Sequence, residues 1–94
     1  MINFDKETKY IVSDLNNADG YLDCENRIIS HLKKHFNNGG TVTEIESYLK
    51  NLDKYFKDQI ARVNNNAELI NFRYAEAFLH TLLNTSYWTD WIKK

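Results

Sequence analysis

The chain is predicted to be all-α: a compact antiparallel up-down bundle of four helices with a short C-terminal aromatic appendage. Three observations carry this expectation. With no proline and only three glycines in 94 residues, nothing in the interior forbids long helices. Apolar residues recur every three or four positions, the spacing of one helix face. The breaks are short, at Gly20, at Gly39 and Gly40, and at Asn64, Asn65 and Asn66. Short connections between successive helices favour antiparallel neighbours.

A first helix from about Asp5 to Leu15 buries Phe4, Ile11, Val12 and Leu15. The second, from Asp19 to Phe36, sets Leu22, Ile28, Ile29, Leu32 and Phe36 on one face, with Asp19 as its expected N-cap. Its acids, Asp19, Asp23 and Glu25, stand at the start, and Lys33 and Lys34 at the end, as the helix dipole favours. The third has the clearest seam, Val42, Ile45, Leu49, Leu52, Phe56 and Val63, with Gln59 at the skipped position. Two overlapping capping boxes open it, Thr41 with Glu44 and Thr43 with Glu46. Pairs four apart, Glu46 with Lys50, Asp53 with Lys57 and Asp58 with Arg62, lace its surface in the favourable order. A last helix, capped by Asn66, runs from Ala67 to about Thr85 and has a very wide apolar arc, so it is either central in the bundle or covered by a partner. The tail SYWTDWIKK adds Tyr87, Trp88, Trp91 and Ile92.

Ninety-four residues make one domain, residues 1–94, and 43% hydrophobic with 27% charged residues is ordinary globular composition. Net charge is −1, with twelve bases matched by thirteen acids along the same segments, which argues against nucleic-acid binding. No apolar run reaches the roughly 18 residues a membrane span needs. The opening MINFDKETKY lacks the apolar region of a secretory signal, and a lone Cys24 fits a reducing compartment. A cytoplasmic protein is expected.

The stretch DLNNADGYLDCE, residues 14 to 25, resembles an EF-hand calcium loop, which places oxygen ligands at positions 1, 3, 5, 7, 9 and 12 and a glycine at 6. Counted from Asp14, Asn16 stands at 3 and Glu25 at 12, but Ala18 falls at 5 and Gly20 at 7. Counted from the glycine, Leu15 falls at 1 and Asn26 at 12. The resemblance implies calcium as an alternative ligand, held by Asp14, Asn16, Asp23 and Glu25; otherwise the stretch is a plain turn. Glu25, inside the apolar arc of its helix, is then a snorkelling side chain, an ion-pair partner or the twelfth ligand. A second stretch, HFNNGGTVTEIE, loses two ligands at His35 and Gly39.

His31 and His35, one turn apart, have chelate spacing, but the intervening LKK lacks the glutamate of a zinc protease, and His31 falls on the polar side of the helical wheel. These histidines are expected at the surface or an edge, and Cys24 in the core. Glu76 and His80 repeat the spacing on a solvated strip. No nucleophile-and-base arrangement or phosphate loop stands out, so no catalytic residue and no cofactor is assigned. The expected function is that of a non-catalytic protein that binds a protein partner or itself, as a regulator, scaffold, toxin-immunity protein or homodimer. Its expected contacts are Tyr48 and Tyr55 on the flank of the third helix, with Tyr87, Trp88, Trp91 and Ile92, since aromatic residues anchor interfaces.

Overall fold

The computed structural model describes residues 3–62, 70–85, 89 and 90. They form α1 (Phe4–Leu15), α2 (Tyr21–Asn37), α3 (Val42–Arg62) and α4 (Ile70–Leu83), with no strand among the described residues. The four helices pack as a bundle with Cα radius of gyration 12.6 Å, close to the roughly 12 Å of a compact chain this long.

Each helix start has its own local cause. Asn3 caps α1, its side chain accepting from the Lys6 N–H at 3.2 Å. At α3 the backbone selects the first of the two capping boxes. Glu44 N–H donates to Thr41 Oγ1 at 3.1 Å, and Thr41 N–H donates back to Glu44 Oε1 at 3.4 Å. The start of α2 departs from expectation: Gly20, not Asp19, is its N-cap, at φ 99° and ψ −179°, a backbone region essentially reserved for glycine. Asp19 instead donates its own N–H to Asp23 Oδ2 at 2.8 Å.

At the other end of α2, Gly39 (φ 95°) and Gly40 turn the chain into α3, their N–H groups closing on Phe36 and His35 carbonyls at 3.2 and 2.9 Å. Lys57, four residues after Asp53, pairs with it at 2.9 Å and also lies 3.9 Å from Glu76 of α4.

The core gathers Ile11 and Leu15 from α1, Cys24, Ile28 and Leu32 from α2, Ile45, Tyr48, Leu49, Leu52 and Phe56 from α3, and Ala75, Phe78, Leu79 and Leu82 from α4. The wide apolar arc of α4 finds its explanation in position, because α4 packs most extensively on α3 and next on α2. Phe56 and Phe72 meet there with ring centroids 5.3 Å apart. Asn71 ties α4 to the first turn of the bundle, donating to the Leu15 and Ala18 carbonyls at 2.9 and 3.1 Å.

Two expected positions are overturned. Leu22 is 72% exposed rather than buried: in the first turn of α2 it is Cys24, at 0% exposure, that faces the core. His31 is 5% exposed rather than solvated, because α1 covers the side of α2 on which it lies. No described helix is long and apolar enough to cross a membrane.

Candidate functional site

Three helices bring four polar side chains to one seam. Glu7 comes from the first turn of α1, His31 and His35 from successive turns of α2, and Tyr48 from α3. Burying such groups is unfavourable unless they satisfy one another. His31 Nε2 lies 2.7 Å from the Tyr48 hydroxyl, and Glu7 Oε2 lies 3.3 Å from His35 Nε2 and 4.0 Å from His31 Nε2. Tyr10 stacks on the outer face of His31 at 5.7 Å, and the Lys34 ammonium stands 5.3 Å from the Tyr10 ring centre. Burial, helped by the positive potential of His35 and Lys34, brings the His31 pKa down to about 4, so the ring is neutral at pH 7. Burial and the Glu7 carboxylate push the Tyr48 phenol well above its ordinary pKa of 10.0.

The aliphatic residues of α2 alone do not reveal this seam. Cys24, Ile28, His31 and His35 are spaced 4-3-4, a helical seam as regular as the aliphatic one, with polar residues in half its positions. Tyr48 likewise lies on a second seam of α3, with Ile45, Leu52 and Tyr55 at 3-4-3. Tyr48 is therefore fully buried and is not an interface residue, which corrects its expected place on the surface. Glu7 carries no signal of its own in the sequence.

The outer edge of the seam opens on a concavity of about 330 Å³ lined by Glu7, His35, Asn38, Gly40 and Glu44 among others. A second cleft, of about 630 Å³ between α1 and α3, is lined by the half-buried Tyr55 with Val12 and a mixed set of charges, Asp5, Lys9, Lys54 and Asp58.

The 14–25 stretch, for which calcium was the alternative to a plain turn, is organised around a guanidinium. Arg27 Nη1 lies 2.6 Å from Asp14 Oδ1 and 3.2 Å from the Asp14 carbonyl, while Nε lies 3.2 Å from Asp23 Oδ2 and Nη2 donates to the Asn17 carbonyl at 3.3 Å. A fixed cation thus already sits between the two carboxylates. Asn16 is the exposed C-cap of α1, and Glu25 turns to Tyr21, whose phenol it helps burial to raise. Asp14 and Asp23 are thus engaged by Arg27, and Glu25 by Tyr21, rather than turned to a common ligand point among the described residues. Cys24 is buried and free, its Sγ 3.9 Å from the Asn71 carbonyl, with burial raising its pKa. His80 is exposed and pairs with Asn84 at 2.9 Å, whereas Glu76 faces Lys57.

A third feature is apolar. At the N-terminal ends of α2 and α4, Tyr21 and Ile70 are 37% and 44% exposed and Leu22 more so, and Tyr21 meets Tyr74 edge-on at 5.6 Å. Tyr87, Trp88, Trp91 and Ile92 lie outside the described residues. Comparison with known families, curated proteins and solved structures returns no match.

Proposed function

We propose that the chain is a non-catalytic helical module that acts in the cytoplasm by binding another protein through the joint N-terminal ends of α2 and α4. The observation that carries this reading is Leu22, a large apolar side chain left 72% exposed beside Tyr21. Single exposed apolar residues are ordinary; several at one end of two packed helices mark an interaction surface. Asp19 and Glu25 flank Leu22 and form no ion pair among the described residues. The partner is accordingly a protein surface with an apolar centre and a rim of lysine or arginine. A regulatory, scaffold or toxin-immunity role is of this kind. Tyr55, in the cleft between α1 and α3, is a further candidate contact.

Leu22→Lys and Ile70→Lys test the reading, because both positions are exposed and neither substitution breaks the core. Partners are recovered with the parent chain and with each variant from the native cell, and the oligomeric state of each is measured by sedimentation. The expected result is one partner whose affinity falls roughly tenfold or more in Leu22→Lys and weakens with added salt. A dimer lost in the variants would make the partner a second copy. A monomer whose partners are recovered equally well by parent and variants overturns the reading.

A further inference from the structure

We propose that Glu7, His31 and His35 form a binding site for one divalent ion of the zinc type, bridging α1 and α2 beside Tyr48. This site is separate from the apolar surface above, and neither depends on the other.

The ligand atoms already stand near coordination distance. One ligand atom from each of the three residues lies within 4.8 Å of the other two. With bonds of about 2.0–2.2 Å, a tetrahedral ion holds its ligand atoms roughly 3.3 Å apart. The Glu7 to His35 distance already has that value, at 3.3 Å, and Glu7 to His31 is 4.0 Å. Small rotations of Glu7 and His35, which lie at the half-buried edge, close the remainder.

Two imidazoles and a carboxylate suit a borderline-soft divalent ion, whereas calcium and magnesium prefer oxygen alone. His35 Nε2 is buried and, although 3.3 Å from Glu7 Oε2, makes no hydrogen bond, and an ion between the two satisfies it. Binding at His31 Nε2 exchanges the 2.7 Å contact with Tyr48 for a metal bond and frees the phenol to hydrogen-bond another ligand of the ion.

The site is open to solvent on one side. The concavity of about 330 Å³ meets the seam at Glu7 and His35, so water reaches the remaining coordination position. Three protein ligands with an open fourth position make an exchangeable site rather than a sealed structural one.

The test uses the full chain, stripped with a chelator and titrated with cobalt(II), whose visible spectrum reports its ligand field, followed by zinc(II) in competition. The expected result is one saturable equivalent, displaced by zinc, with a higher melting temperature in the loaded protein. Glu7→Gln and His35→Gln should each weaken zinc binding roughly tenfold or more, a loss that even outer-sphere partners of a metal can cause. Their helical circular dichroism should match the parent. His80→Gln, at the exposed histidine of α4, should bind as the parent does. X-ray absorption of the zinc-loaded parent should show two imidazoles, a readout that does not depend on any variant folding. Absence of saturable cobalt binding, retention of binding in both seam variants, or a zinc shell without imidazole overturns the proposal.

Discussion

His31 is a base held neutral by its surroundings, and this makes it a source of pH dependence. Its pKa falls from 6.5 to about 4 on folding, so the unfolded chain takes up a proton in a range where the folded one does not. Stability is therefore complete above about pH 6.5 and is lost as pH falls from there through about 4, by about 3 kcal/mol at the limit. Denaturant midpoints of the metal-free protein at pH 7.5 and 4.5 check this: the parent should lose more than His31→Gln, and equal losses would refute it. Tyr48→Phe removes the hydroxyl that meets His31 Nε2 and leaves a buried nitrogen unpaired, which costs about 1–3 kcal/mol at pH 7. An unchanged midpoint would show that His31 finds another partner. At the opposite end of α2, the Asp19 N–H, followed by Arg27, holds the Asp23 carboxylate below its ordinary range. Its stabilising contribution is present above the unfolded carboxylate pKa and is lost as pH falls through the lowered folded one. The carboxylates of the 14–25 loop were legible as a cluster, but Arg27 as their cation was not, because a cluster of acids in sequence does not say which base folds onto it.

Helix boundaries follow from two or three neighbouring residues and were mostly legible at that range. The Thr41 and Glu44 box was visible beside its competitor, and the turn through Gly40 chose between them. Thr41→Ala should cost about 1 kcal/mol in chemical denaturation, whereas Thr43→Ala, one turn position inside the helix, should be near neutral. Asp19 failed as a cap because Gly20 adopts a backbone conformation closed to other residues and takes the capping position itself. Gly20→Ala should therefore cost about 1–3 kcal/mol, although a Cβ there meets no atom within 4 Å. At Gly40 the obstacle is contact instead, since a Cβ would lie 2.8 Å from the His35 carbonyl oxygen. Gly40→Ala should also destabilise, and because it pushes on the last turn of α2 it should disturb the His35 ring as well, which proton spectra of that histidine would register.

Across the whole molecule, burial separates residues that their spacing groups together. Phe56, fully buried where α3 meets α4, should cost about 3–5 kcal/mol as alanine, a large share of the 5–15 kcal/mol typical of a domain. Leu22→Ala should change stability by no more than about 0.5 kcal/mol, despite Leu22 sharing the apolar face of α2 by sequence. Melting both variants beside the parent decides the matter, and similar losses would place Leu22 in the core. The absence of proline, the three- and four-residue spacing and the position of the breaks sufficed by themselves for four helices in a bundle, because helical periodicity and turn chemistry are properties of neighbouring residues. Which side of each helix is covered is a property of the other helices. Only the packing of α1 and α3 against α2 could bury His31, take Tyr48 from the surface and bring Glu7 to the two histidines, since the energy of burying a polar group depends on partners that lie far away along the chain.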